Sequence, residues 1–303
     1  MNKYAILDIG TNSIKFFLFS IENGKPATII DTNNISRLGE GLQKTGIISD
    51  EAMTRNIKAL REFMEIAAKE NVKEIIAVGT MCLRTANNSD VFLKRAKDEL
   101  GLTIKVIQGE EEARLSYLAV LSTIGNTDKN VVVFDTGGGS TEFIFGKGTK
   151  LENRISLNLG AVRPTEEFLI SDPVREEELA KMQDYMKNFF GERIVAKKAD
   201  FLIGIGGTVT SMGAVMHKMV NYDPMVIQGS QMTQREVNAQ IEMYMKKTIE
   251  ERKQIPGLQP KRADVILAGA GIIKTIMEIF DIDSFTISDR GLRHGILFDR
   301  FLS

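Results

Sequence analysis

An internal repeat restricts the fold of this chain more than any other feature. The segment Asp8-Ile9-Gly10-Thr11-Asn12-Ser13-Ile14-Lys15-Phe16-Phe17 returns as Asp135-Thr136-Gly137-Gly138-Gly139-Ser140-Thr141-Glu142-Phe143-Ile144. Asp8/Asp135, Gly10/Gly137, Ser13/Ser140 and Phe16/Phe143 recur in register. Each copy follows an apolar strand, Tyr4 to Leu7 or Val131 to Phe134, and runs into a second one, so both read as β-hairpins with glycine in the turn. Four shared positions alone could be coincidence. Their common strand-loop-strand context makes a duplicated domain the economical explanation.

Helices and strands alternate around the copies. Ser49 is a suitable N-cap for a helix whose apolar face uses Met53, Ile57, Leu60, Met64 and Ala67. A strand over Glu74 to Val78 follows, then a helix capped by Ser89 and ending near Gly101, a strand over Leu102 to Ile107, and a helix from Glu110 to Leu121. In the second half, helix is expected from about Pro173 to Ala196, strand from Phe201 to Ile205, and helices after Gly207 and after Thr233. Strand Val265 to Leu267, helix Gly271 to Phe280, strand Ser284 to Ile287 and a final helix near Gly291 to Phe301 complete the reading. Such alternation implies α/β layers around a largely parallel sheet. The polar stretch Ile124 to Lys129 is the expected domain boundary. It separates an N-terminal domain of residues 1–125 from a C-terminal one of 126–303, whose last helix (about 291–301) is a candidate to pack back on the first.

Composition narrows the function. Lys+Arg 39 against Asp+Glu 40 gives a net charge of −1, so no global basic field draws in nucleic acid and an anionic ligand needs a local basic site. The first residues run straight into a strand without a signal-type leader, and no apolar run approaches the ~20 residues of a membrane helix. One cysteine, Cys82, excludes an intramolecular disulfide and suits a reducing compartment, so a cytoplasmic location is expected.

The sharpest chemical signal is Asp135 to Glu142. Gly137, Gly138 and Gly139 leave backbone N–H groups uncovered and permit positive φ, as an anion-binding nest requires. Ser140 and Thr141 add hydroxyls, Asp135 at the strand end can hold Mg²⁺, and Glu142 can direct a carboxylate at water. Read blandly, this is a glycine-rich hairpin flanked by surface acids. In the first copy Asn12, Ser13 and Lys15 suit phosphate or metal-water contact, Asp8 is the counterpart candidate metal ligand, and the bland alternative is a tight hairpin with a capping aspartate. Gly204-Ile205-Gly206-Gly207-Thr208 joins a strand to a helix and offers N-terminal amides to an anion, although close strand–helix packing also selects glycine. Arg84 lies just beyond a strand end, where open α/β sheets bind ligands. It could grip phosphate or simply face solvent. Glu110, Glu111 and Glu112 start a helix, where acids complement the dipole, yet they also supply a general base or metal ligand. His217 and His294 lack ligand-spaced partners and read as structural. Cys82 and Met212, Met216 and Met219 read as packing residues.

These stretches resemble the exopolyphosphatase/guanosine pentaphosphate phosphatase (Ppx/GppA) family of the actin-like, sugar-kinase and Hsp70 ATPase superfamily. The resemblance runs through Asp8 to Ser13, Gly79 to Arg84, Gly109 to Arg114, Asp135 to Glu142, Gly204 to Thr208 and Ser288 to Gly295. It implies two ribonuclease H-like (actin-like) domains with a cleft between them. It also implies catalytic carboxylates at Glu112 and Glu142 supported by Glu111, and an Arg84 clamp on the terminal phosphate. Asn12, Ser13, Gly137, Gly138, Gly139, Ser140, Gly207 and Thr208 would line the phosphate cradle, and Mg²⁺ would neutralise charge with Asp135 and Asp8 as ligands. Where the family often has Ser-Gly-Thr, this chain has Gly206-Gly207-Thr208, which keeps the backbone donors. By the resemblance the chain is expected to correspond to the two-domain core, without the helical, HD-like C-terminal region of longer members that would supply an extended second surface for processive attack on long polyphosphate.

The implied substrates are inorganic polyphosphate or guanosine pentaphosphate, with no nucleic acid or membrane partner; a homodimer is among the oligomeric states left open. Two rivals stand beside hydrolysis. A small-molecule kinase of the same superfamily would need an adenosine pocket, for which Gly269-Ala270-Gly271 is the only hint. A non-catalytic polyphosphate or alarmone sensor would not need both glutamates.

Overall fold

The computed structural model describes residues 2–124, 128–195 and 199–302. The chain divides into two compact units, one reaching up to Ser116 and resuming at Leu292, the other Tyr117–Gly291. Residues 125–127 of the expected boundary, and the expected helix end at Ala196, lie outside the described residues.

In the first unit, β1 (Lys3–Ile9), β2 (Ile14–Glu22), β3 (Lys25–Asn34), β4 (Glu74–Gly79) and β5 (Ile104–Val106) form one sheet in the order β3-β2-β1-β4-β5. The first three make an antiparallel meander, and β4 and β5 add in parallel to β1. The second unit repeats the scheme. Its β6 (Asn130–Thr136), β7 (Thr141–Lys147) and β8 (Lys150–Leu157) form the meander, and β9 (Phe201–Ile205) and β11 (Ser284–Ile287) add in parallel. A short edge strand β10 (Gln231–Thr233) pairs antiparallel with β11, giving the order β10-β11-β9-β6-β7-β8. Both sheets are therefore mixed, not largely parallel, because each tight hairpin forces its strands antiparallel. The repeat in sequence is a repeat in topology.

β2 shows how the apolar pattern builds this. Phe16 and Leu18 face the core under helix Asp50–Lys69, and Phe17 and Phe19 face a second core closed by helix Leu292–Leu297. Both faces of the strand are buried, so its sequence is a nearly continuous apolar run. Phe16 stacks on Phe63 at 4.9 Å between ring centroids. Burial contributes roughly 1.5–3 kcal/mol for each such side chain. The expected Ser49 cap is present, its side chain accepting from the Ala52 N–H at 3.2 Å, and Thr233 with Glu236 forms a capping box for helix Gln234–Met245. Met212 is buried and Met216 and Met219 pack on the same core. Cys82 is fully buried, and burial pushes its thiol up to about 12.

Three expectations are corrected. Val265 to Leu267 is not a strand: Val265 caps a single helix, Ile266–Phe280, that is buried on almost every side. A short apolar run does not distinguish a buried strand from a buried helix. Ser89 begins its helix and Asn88 is the cap residue, without a side-chain cap bond. The helix expected from Pro173 begins at Glu176 and ends at Gly191.

Candidate active site

In the first unit the β1–β2 turn is closed by the Gly10 N–H donating to the Ser13 carbonyl at 3.0 Å. Asn12 and Ser13 sit half-buried in that turn, and the Asn12 carbonyl accepts from the Arg37 N–H. Antiparallel register sets Asp8 opposite Lys15, whose ammonium lies 3.3 Å from the almost buried Asp8 carboxylate. β4 leads into the short helix Met81–Thr85, which delivers Arg84. Its Nη1 donates to Glu112 Oε2 at 2.7 Å and to the Ile107 carbonyl at 2.9 Å. Glu112 comes from the first turn of helix Gly109–Ile124. Burial raises its carboxyl above the ordinary 4.5, the Arg84 guanidinium opposes that rise, and Asp8 and Lys15 act on it more weakly in opposite senses. Arg84, Glu112, Asp8 and Lys15 thus form one electrostatic group.

Glu111, one residue away, turns elsewhere. Both its oxygens accept from Arg114 at 2.9 Å, and Arg114 also holds Asp299 at 2.8 Å. This fork holds the Glu111 carboxyl below its ordinary range.

In the second unit the Gly137 N–H donates to the Ser140 carbonyl at 2.9 Å and closes the β6–β7 turn. None of Gly137, Gly138 and Gly139 adopts positive φ; that conformation belongs to Gly206, at φ 86°. A Cβ on Gly206 would lie 2.0 Å from Asp135 Oδ1, so this glycine lets the aspartate reach the backbone of the neighbouring loop. The Gly137 and Gly138 carbonyls accept from the Ala161 and Val162 N–H groups, and Gly160 abuts Gly138 so closely that a Cβ there would lie 2.5 Å from its carbonyl carbon. The close backbone approach therefore rests on Gly160, whereas a Cβ on Gly137 or Gly138 would meet its nearest neighbour only at 3.5 or 3.3 Å.

Thr208 donates its hydroxyl to the Thr136 carbonyl at 2.8 Å, so it ties the two glycine loops together and its proton is committed there. Ser140 is buried in its turn. Glu142 lies opposite Ser156 on β8 and accepts from its hydroxyl at 3.0 Å. Sequence reasoning missed Arg262, whose guanidinium lies over the start of helix Gly206–Met216: a Cβ on Gly207 would stand 2.1 Å from Nη2. Arg262 follows far along the chain in an unremarkable Pro-Lys-Arg-Ala context, so no local signal marks it.

Among the described residues no three His, Cys, Asp or Glu side chains gather as a metal cluster. Mg²⁺ commonly takes one or two carboxylates and completes its shell with phosphate oxygens and water. Asp8 at the end of β1 and Asp135 at the end of β6 are each a single carboxylate, which fits an ion brought largely by substrate and not a cage built by protein alone.

A two-unit α/β fold carrying duplicated hairpins, a half-buried Glu–Arg pair and glycine loops at strand ends defines the actin-like class of fold. The Ppx/GppA phosphatase family model matches residues 17–303, and the chain belongs to that family. It is 35% identical to the Aquifex aeolicus Ppx/GppA family member of known crystal structure, with a TM-score of 0.85 over 99% of this chain and 98% of that one. It is 34% identical over 97% of its length to a bifunctional 3-dehydroquinate synthase/phosphatase of Fusobacterium nucleatum. It is also 32% identical over 98% of its length to a guanosine-5'-triphosphate,3'-diphosphate pyrophosphatase of Photobacterium profundum, and 28% identical over 98% to exopolyphosphatase 2 of Mycobacterium tuberculosis. The chain spans about half the length of the first two, 46% and 59%, and 98% of the third.

Proposed function

We propose that this protein is a phosphoanhydride hydrolase that releases terminal phosphate from inorganic polyphosphate. The observation carrying the proposal is the Arg84–Glu112 pair, a carboxyl whose proton affinity is raised by burial and held beside a guanidinium at the C-terminal end of β4. A carboxylate so placed can accept a proton from water, while an arginine beside it stabilises anionic charge. Among the described residues both bonds of the Arg84 guanidinium come from Nη1, so Nε and Nη2 are the donors assigned to phosphate. Glu142 is the second carboxylate, oriented by Ser156.

In the reaction the water oxygen bonds to the terminal phosphorus, the bridging P–O bond breaks, and the shortened chain leaves with that oxygen. The water proton passes to a carboxylate, giving one orthophosphate and a chain one unit shorter. Amides of the loops at Gly138–Ser140 and Gly207–Thr208 are the phosphate contacts assigned in the second unit, and Asn12 and Ser13 those assigned in the first. Asp135 in the second unit and Asp8 in the first are the carboxylates assigned to Mg²⁺, which would supply neutralisation of charge on the transferring group. Glu111, engaged by Arg114, contributes through the placement of its helix. Because the Photobacterium relative is a guanosine pentaphosphate pyrophosphatase, the terminal 5'-phosphate of that nucleotide is a second substrate under the same chemistry. Among the described residues no helix is long and apolar enough to cross a membrane. The single cysteine in the sequence supports the cytoplasm as the place of action.

The test is phosphate release from polyphosphate, from guanosine pentaphosphate, and from ATP with small-molecule acceptors, with and without Mg²⁺. We expect release from the first two, dependent on Mg²⁺. Phosphorylated acceptor without free phosphate would assign a kinase instead, and binding with no release from any anhydride would assign a sensor.

A further inference from the structure

Arg252 is an unusual residue to find in a core. It is 2% exposed, and it ends the short helix Ile249–Arg252. Its Nε donates to the Tyr244 carbonyl at 2.7 Å, at the close of helix Gln234–Met245, and its Nη1 reaches the Ala263 carbonyl at 3.4 Å. Burial pulls its pKa down, and the Asp172 and Asp264 carboxylates act in the opposite direction. Burying a guanidinium is costly unless its neighbours compensate, so its placement calls for a role beyond filling space.

The chain between the two carbonyl partners supplies one. After Arg252 it runs along helix Gly206–Met216. Ile255 and Leu258 are buried anchors. Gly257, at φ 93°, lies so near that helix that a Cβ would stand 2.3 Å from the Ala214 carbonyl oxygen. At the other end Arg262 lies over Gly207, at the start of the same helix. From Ala214 back to Gly207 is about 10 Å at the helical rise. The segment is thus a strap laid along the helix, pinned at its root by Arg252, and its last residue before the Ala263 carbonyl is Arg262.

We propose that Arg252 is a positioning residue: by bridging the Tyr244 and Ala263 carbonyls it fixes the strap so that the Arg262 guanidinium rests over the Gly206–Thr208 loop, where it meets the anionic substrate. The inference rests on the phosphate-binding reading of that loop. Arg252 touches no substrate and acts through Arg262. Lysine cannot replace it, because one ammonium on a flexible stem does not reproduce a planar fork held between two carbonyls.

A double-mutant cycle tests this, read by calorimetric binding of tripolyphosphate and by KM and kcat for polyphosphate. In an otherwise native chain, Arg252→Met should weaken tripolyphosphate binding and raise KM about tenfold, with kcat changed less. In an Arg262→Ala background the same substitution should change neither binding nor KM further. Equal fold-losses in both backgrounds would show a merely structural role and overturn the proposal. Arg252→Lys keeps the charge but loses the fork; carried through the same cycle, it separates the same two outcomes if the methionine variant fails to fold. Native protein that binds no tripolyphosphate would overturn the phosphate-site reading and this proposal with it. Native binding with additive losses overturns the proposal alone.

Discussion

Glu112 joins two effects that can be measured separately. Its carboxyl holds a proton more tightly in the folded chain than its ordinary 4.5, because burial outweighs the pull of Arg84. A carboxyl raised on folding favours the folded state below its unfolded value, and that contribution is lost as pH rises through the folded value. Glu112→Gln should therefore flatten the fall in stability with pH just above 4.5, as read by urea unfolding at a series of pH values. For turnover the ionised form is needed, so the acid limb of kcat should lie above that of an ordinary glutamate. Arg84→Ala removes the opposing interaction and should move that limb to still higher pH while raising KM. Glu112→Ala and Glu142→Ala should each cost on the order of 10²–10⁴ in kcat with polyphosphate binding retained, and near-native rates in either would remove that residue from the mechanism. Glu111→Ala, which breaks a fork with Arg114, should cost far less.

Among the secondary elements, the strand–glycine–helix junction after β9 decides the most. Gly206 needs positive φ and leaves no room for a Cβ beside Asp135, whereas Gly24, at φ 75° in the β2–β3 turn, has nothing within 4 Å. Gly24→Ala should therefore cost only the left-handed strain, about 1 kcal/mol, with unchanged turnover. Gly206→Ala should cost several times that and abolish activity, because Asp135 or the helix start must move. Thermal melts with phosphate-release assays separate the two cases. The elements also show where patterns in sequence stop being informative. β9, β11 and the Ser49-capped helix are legible directly, since a bounded apolar run or a cap with an amphipathic face is a local signal. β3 and β8 carry no such signal, because both are half-exposed edge strands rich in charge and Asn. Their identity comes from pairing with β2 and β7, and pairing is not written in either segment alone.

For the whole molecule, the return of the C-terminal segment to the first unit is the decision with the widest consequences. Arg293 forms a fork on Asp31 of β3 at 2.9 and 3.1 Å, nearly out of water, with His294 beside it and tilted against Phe17. Gly295 presses on the Leu115 carbonyl, and Phe301 packs on Tyr4 and Phe19. Removing one member of a buried ion pair strands the other, so Asp31→Ala should destabilise the protein by about 3 kcal/mol. The measurement is the denaturation midpoint, and an unchanged midpoint would show that this tie contributes nothing. Asp31 and Arg293 stand near opposite ends of the chain, and neither carries a motif that names the other.

The amino-acid order was sufficient for the duplicated hairpins, the α/β alternation, the family, and the candidacy of Asp8, Arg84, Glu112, Asp135 and Glu142, because short-range spacing and backbone preference act between neighbours. Folding alone paired Arg84 with Glu112 and turned Glu111 away. It also committed the Thr208 proton to the Thr136 carbonyl, brought Arg262 over Gly207, and made Val265 to Leu267 the start of a buried helix. Each of these depends on groups distant in the chain, whose meeting follows from how the layers pack and from which buried polar groups must then find partners.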